Sequence, residues 1–98
     1  MLLRPRADYA QLIPEPSDVL LVVEISDTTL RFDQTTKLAL YARHGIEEYW
    51  VVDVAGERIH VYRNPIYADY ADRMEASGTA VISPQSLPQL RLTVRRHL

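Results

Sequence analysis

Residues 18 to 26, Asp-Val-Leu-Leu-Val-Val-Glu-Ile-Ser, contain the longest apolar run of the chain, followed by a single glutamate. A length under ten residues and the β-branched valines and isoleucine favour a strand over a helix. Near-continuous apolar character is typical of a strand buried on both faces. Because side chains alternate along a strand, Glu24 shares a face with Leu20, Val22 and Ser26. The sequence therefore predicts a carboxylate in apolar surroundings, where it needs a cation, hydrogen-bond donors or a raised pKa.

Length and composition limit the class of protein. The chain has 98 residues, 47% hydrophobic and 24% charged, which predicts one globular domain over residues 1–98. The absence of cysteine excludes disulfides, thiolate zinc sites and cysteine nucleophiles, and it favours a cytoplasmic protein. No apolar run approaches the roughly 20 residues of a membrane span. A domain this small buries only about 60 to 65% of its unfolded surface, and a homodimer is one way for such a chain to bury more.

The remaining elements follow from capping, alternation and turn residues. Ser26-Asp27-Thr28-Thr29 offers several helix caps, and Gly45 can end a helix in the left-handed conformation. Beyond Asn64-Pro65 the pattern weakens, and an irregular stretch is the alternative to a strand there. We predict a loop at 4–17, a helix at about 30–44, strands at 18–26, 48–54 and 58–63, a turn at 55–57, and possible short strands at 79–83 and 90–94. This order predicts an α/β fold with a mixed sheet.

Lys37 is the sole lysine, and its place in the predicted helix is unusual. At about 100° per residue it falls within the apolar stripe, close to Leu30 and Tyr41, rather than on the solvated face. We therefore expect Lys37 to face the sheet and to pair with Glu24. A surface lysine and a glutamate that reaches water are the alternatives. A buried ion pair is at best weakly stabilising relative to apolar residues, so a functional site is the more economical reason for both charges.

Other candidate residues carry weaker patterns. Asp33 precedes Lys37 by one turn and is expected to orient it, with a metal or substrate role as the alternative. Asp53 could support Lys37 or accept backbone hydrogen bonds. The histidines do not have the spacing of metal ligands. The sequence contains neither the Gly-x-Ser-x-Gly elbow of serine hydrolases nor a glycine-rich phosphate-binding loop. Structural interpretations are favoured for His44 at the helix end and for Trp50 in the core.

The segment from Asp18 to Asp53 resembles a known nuclease family. The resemblance runs through the Glu24 strand, Asp-Gln-Thr-Thr-Lys, Leu-Tyr-Ala-Arg-His-Gly-Ile and Glu-Tyr-Trp-Val-Val-Asp, and it continues more weakly through Val61-Tyr62-Arg63 and Leu87-Pro88-Gln89-Leu90. These residues are similar to those of the Uma-two family, a branch of the PD-(D/E)XK nuclease superfamily with restriction-endonuclease-like members. The implied fold is a mixed β-sheet with a packed helix.

The resemblance implies hydrolysis of DNA phosphodiester bonds with a divalent metal, Mg²⁺ or Mn²⁺. Glu24 matches the metal-binding glutamate of the superfamily. The usual position of the catalytic lysine, two residues later, is Ser26 here, and Lys37 matches the lysine that this branch supplies from the helix. Lys37 would then assist the attacking water.

The same resemblance raises a question about the second metal-binding carboxylate. Asp18 lies about 20 Å from Glu24 along an extended strand, too far to hold one ion with it. Related chains carry a Pro-Asp just ahead of a stretch similar to residues 2–6, so we expect the N-terminal part of the fold to be missing from this chain. The alternative function is therefore a catalytically inactive remnant that serves as a folding or dimerisation module.

Overall fold

The computed structural model describes residues 1–5 and 15–94. In these residues five strands form one sheet in the order β1-β2-β3-β4-β5, and two short strands, β6 and β7, form a second sheet. The strands are β1 (Leu2–Leu3), β2 (Val19–Ser26), β3 (Glu48–Asp53), β4 (Arg58–Ile66), β5 (Asp69–Ser77), β6 (Val81–Ile82) and β7 (Leu92–Thr93). Among the helices of these two ranges, none is long and apolar enough to cross a membrane.

The large sheet is mixed, as the order of elements predicts. β2 and β3 are parallel, with the helix between them as the crossover, and the other neighbours in the sheet are antiparallel. The α/β fold with a packed helix is thus confirmed and is consistent with a restriction-endonuclease-like fold. The predicted strand at 18–26 begins one residue later, because Asp18 closes a 3-10 turn, Pro16–Asp18, and its carboxylate accepts a hydrogen bond from Glu15 N at 2.8 Å.

The helix spans residues 30–43 in three consecutive segments: α1 (Leu30–Phe32), a π-helical segment (Asp33–Lys37) and α2 (Leu38–Arg43). The π-helical segment was not predicted. Gly45 ends the helix with φ 72°, as expected, and its N–H reaches Ala42 O at 3.0 Å. The predicted side-chain cap is wrong, because Thr29 makes no cap hydrogen bond and instead donates from Oγ1 to Asp33 Oδ2 at 2.9 Å.

The core has two parts, one on each face of the sheet. On one face, the helix packs against Val22, Tyr49, Val51, Tyr62 and Tyr70. On the opposite face, the sheet residues pack with Ile82 of β6 and the buried Val94; these sheet residues are Leu21, Trp50, Val52, Ile59 and Val61. The expectation that β2 is buried on both faces is wrong for its second half. Val23 is 37% and Ile25 66% exposed, because no described element covers that part of the opposite face.

The β3–β4 hairpin is confirmed at the predicted turn. Asp53 Oδ1 accepts a hydrogen bond from Gly56 N at 2.9 Å. A Cβ at Gly56 would lie 2.2 Å from Asp53 Oδ2, so the turn needs glycine for close approach. The weak pattern beyond residue 64 resolves into a longer β4, the edge strand β5, and the short strands β6 and β7. Most of the predicted loop at 4–17 lies outside the described residues.

Glu48 joins the hairpin to the segment that leads from β6. It is 0% exposed, and its carboxylate accepts hydrogen bonds from Trp50 Nε1 at 2.7 Å, Arg63 Nε at 2.8 Å and Gln85 N at 2.8 Å. Arg63 also donates to Ser83 O at 2.7 Å. A buried carboxylate with three donors is well compensated for the loss of water.

Candidate active site

Glu24 lies on the face of β2 that the helix covers, and both of its carboxylate oxygens have a partner. Lys37 Nζ donates to Oε2 at 3.0 Å, and Tyr41 OH donates to Oε1 at 2.8 Å. The side chain of Glu24 is 24% exposed and that of Lys37 is 33% exposed, so the pair borders solvent. The predicted contact between Glu24 and Lys37 is therefore present, in an environment that water and a ligand can reach.

Asp33 completes the charge cluster from beneath the helix. It is 1% exposed, and its Oδ1 lies 3.3 Å from Lys37 Nζ, one helical turn away. Lys37 thus lies between two carboxylates. Tyr49 OH donates to the backbone carbonyl of Asp33 at 2.8 Å, which fixes the first turn of the π-helical segment over β3. The predicted contact of Asp33 with Lys37 is present. Because Asp33 is almost fully buried, solvent has little access to its carboxylate.

The protonation states follow from these contacts. The hydrogen bond to Glu24 is the main cause that raises the pKa of Lys37. Burial is the main cause that raises the pKa of Tyr41, and its hydrogen bond to Glu24 adds to the effect. At neutral pH both groups therefore keep their protons. Lys37 acts as a cation and donor, not as a base, and Tyr41 acts as a donor.

The pKa of Asp33 is shifted in the opposite direction, below its ordinary value. Burial alone would raise its pKa, but contacts with Thr29, Ser26 and Lys37 outweigh burial and lower the pKa below its ordinary 3.8. The folded chain then binds fewer protons than the unfolded chain as the pH falls below that value, so this contribution to stability is present at neutral pH and lost in acid.

Replacement of Asp33 by asparagine is expected to lower the free energy of unfolding at pH 7 by about 1 to 3 kcal/mol, because buried donors lose a charged acceptor. The difference from the wild type should shrink as the pH falls below 3.8, through the lowered pKa of Asp33. Urea unfolding of both proteins at several pH values measures it. A deficit that is the same at pH 3 and pH 7 would show that the charge of Asp33 is not what stabilises the fold.

The resemblance to the nuclease family implies a divalent metal, Mg²⁺ or Mn²⁺, which needs oxygen ligands such as carboxylates. In the described ranges no group of three or more His, Cys, Asp or Glu side chains could hold a metal ion. The described residues therefore do not supply the ligands of a metal site made of protein groups alone. Glu24 offers hard carboxylate oxygens near solvent, which fits Mg²⁺, since Mg²⁺ is usually held by one or two carboxylates together with water and substrate phosphate.

The other candidates lie away from this cluster. Asp53 caps its own turn and makes no described contact with Lys37, which favours the structural interpretation. His44 lies at the helix end, with Nδ1 2.8 Å from Leu40 O. Trp50 is 3% exposed and belongs to the core, as predicted. Asp18 is occupied in the 3-10 turn at the start of β2.

Tyr41 is the residue that the sequence interpretation missed. Its spacing of four from Lys37 places both side chains on the same face of the helix, and this spacing was the available signal. The phenol holds Glu24 Oε1 while Lys37 holds Oε2, so the carboxylate is fixed from two sides. A carboxylate with a fixed orientation is better prepared to bind a ligand than one that rotates freely.

Comparison with known protein families agrees with the fold. A family model, Uma2, with the description "Putative restriction endonuclease", matches residues 3–95. A search of the curated proteins finds no match to the chain. The family match covers almost all of the 98 residues, including β2, the helix and the β3–β4 hairpin. The chain belongs to the Uma2 family.

Proposed function

We propose that this chain carries the centre of a metal-dependent endonuclease that hydrolyses phosphodiester bonds of DNA. The family supports a nuclease, and the observation that carries the proposal is the cluster of Glu24, Lys37 and Tyr41 at a solvent-bordering position. A half-buried carboxylate with a fixed orientation beside a cation is a typical arrangement for phosphoryl chemistry.

Glu24 would hold Mg²⁺ or Mn²⁺ through its carboxylate. When bound, the ion would supply Lewis-acid polarisation of the phosphate. Lys37 keeps its proton, so it can donate a hydrogen bond to the attacking water and stabilise the negative charge that develops on the phosphate oxygens. Tyr41 orients Glu24. Asp33 holds Lys37 from the buried side and keeps its ammonium group directed towards Glu24.

Cleavage of supercoiled plasmid by the purified chain tests the proposal. We expect nicking that requires Mg²⁺ or Mn²⁺ and stops with a chelator. Lys37→Ala should lower the rate by about a hundred-fold or more, as is typical when a charge-stabilising donor is removed. Arg43→Ala removes a positive charge from an exposed position of the same helix and should keep the rate. Equal rates for Lys37→Ala and the wild type would contradict the role of Lys37.

A second candidate is a catalytically inactive module that acts by dimerisation, and the exposed Val23 and Ile25 on β2 favour it. Exposed apolar side chains that lie next to each other on a sheet mark interaction surfaces more often than scattered ones do. Sedimentation velocity of the same preparation separates the two functions. A stable dimer without metal-dependent cleavage would favour the module, and cleavage that Lys37→Ala removes would favour the nuclease.

A further inference from the structure

A polar cleft lies between Gln34 of the π-helical segment and the strands β4 and β5. It has a volume of about 460 Å³ and is lined by Gln34, His60, Tyr62, Arg73, Met74 and Glu75. This volume lies within the range of small-molecule sites. The nuclease chemistry described above uses none of these side chains.

The sheet register places the cleft beside the candidate active site. Glu24 pairs with Val51, Val51 with His60, and His60 with Glu75, so the four residues form one row across β2 to β5. Residues in one row share a face, and two strand spacings separate the Cα atoms of Glu24 and His60 by about 10 Å. Val51, between them, is 0% exposed, so the row itself is closed, and a neighbouring nucleotide of a strand held at Glu24 would reach the cleft around the covered Val51.

Gln34 connects the two places. It belongs to the same π-helical segment as Asp33 and Lys37, and π-helical turns occur frequently at functional sites. Its Nε2 donates to Tyr62 OH at 2.9 Å, which turns the amide towards β4. Within the described residues this is the hydrogen bond that the amide makes, so the carbonyl oxygen and the second N–H of Gln34 are available to a ligand.

The lining has both donors and acceptors, and this mixture decides the class of ligand. Arg73 lies 5.7 Å from the centre of the Tyr62 ring and also pairs with Asp69. Glu75 lies 3.4 Å from His60 Nδ1 and 3.4 Å from an Arg58 nitrogen. A carboxylate in the lining disfavours a bare phosphate, and a lining with one apolar residue disfavours a lipid or other apolar ligand.

A nucleobase meets these conditions, because it has a flat face and an edge with both donors and acceptors. We propose that the cleft binds a nucleobase of the DNA strand next to the cleaved phosphodiester, with Gln34 and Glu75 as the residues that read the base. This inference rests on the proposed function for the identity of the strand. Its consequence is a base preference of the nuclease at one position beside the cut.

Binding of short single-stranded oligonucleotides without divalent metal tests the inference separately from cleavage. Fluorescence anisotropy is measured for homopolymers of each base and for an abasic strand with the same number of phosphates. Gln34→Ala should weaken binding of at least one homopolymer by about five-fold or more and change the order of preference among bases. Binding of the abasic strand should stay the same. Gln34→Glu keeps the shape, removes the donor and adds a negative charge. The added charge should weaken binding of the abasic strand and of all homopolymers alike, so a change in the order of preference reports the lost donor.

Glu75→Gln needs a charge control, because loss of any negative charge favours a polyanion. Glu57→Gln removes the same charge from the exposed hairpin turn and gives the general effect. Glu75→Gln should change base preference beyond that effect. Equal weakening of abasic and base-containing strands would overturn the inference in favour of a phosphate contact, and unchanged binding in all cleft variants would overturn it altogether. If the cleft variants change base preference but the wild type does not cleave DNA, the cleft is a nucleobase site and the proposed nuclease function is wrong.

Discussion

Glu24→Gln is expected to abolish metal-dependent cleavage, with a loss on the order of a thousand-fold or more. The substitution keeps the size of the side chain and removes the charge that would hold the metal, and metal stabilisation of a phosphoryl transition state is worth several kcal/mol. Gel analysis of plasmid nicking at saturating Mg²⁺ measures the loss. Tyr41 can still donate to the amide oxygen of the glutamine, while the NH₂ group then faces Lys37, whose ammonium group loses its hydrogen bond to position 24.

The stability of the same variant distinguishes a chemical role from a structural one. Glu24 and Lys37 are partly exposed, and such pairs contribute about 1 kcal/mol or less. The unfolding midpoint of Glu24→Gln should therefore lie close to that of the wild type. Glu57→Gln, in the exposed turn between β3 and β4, should keep both activity and stability. Loss of activity together with a large loss of stability would instead indicate that Glu24 supports the fold.

Glu48→Ala should give the largest loss of stability, about 3 to 5 kcal/mol, without any direct effect on the nuclease site. The substitution leaves three donors, from Trp50, Arg63 and Gln85, without their acceptor, and removal of one partner from a buried charged network has a cost of this size. A small domain has a total stability of roughly 5 to 15 kcal/mol, so much of it would be lost. Urea unfolding followed by the fluorescence of Trp50 measures the change.

The neighbouring residue provides the matched control. Glu47 pairs with Arg4 at the surface, and Glu47→Ala should change the free energy of unfolding by about 1 kcal/mol or less. The loss in the free energy of unfolding for Glu48→Gln should lie between the losses for Glu47→Ala and Glu48→Ala. The amide keeps one acceptor oxygen, but its NH₂ group faces a donor. Equal stability of Glu47→Ala and Glu48→Ala would contradict a structural role of the buried carboxylate.

Much of the site could be predicted because two regular periods determine it. Alternation along β2 gives the face of Glu24, and the helical period gives the face of Lys37, so both charges were expected at one interface. The β3–β4 hairpin followed from its turn residues. Tyr41 was within reach of the same reasoning, since it follows Lys37 by four residues.

The missed features depend on contacts between distant segments. A π-helical turn has no local sequence signal, and here Tyr49 of β3 and Tyr62 of β4 both bond to residues within it. The exposure of Ile25 depends on which elements cover the opposite face of the sheet. Glu48 was not singled out from the sequence, because the burial of its carboxylate depends on donors 15 and 37 residues away.

Mn²⁺ titration followed by NMR tests the central assignment most directly. The paramagnetic ion broadens the amide signals of nearby residues. If Glu24 holds the metal, substoichiometric Mn²⁺ should broaden the signals of Glu24, Ile25 and Val51 in the wild type, and excess Mg²⁺ should restore them. Glu24→Gln should remove this pattern. Broadening centred on other carboxylates and unchanged by Glu24→Gln would contradict Glu24 as the metal ligand of this nuclease-family chain.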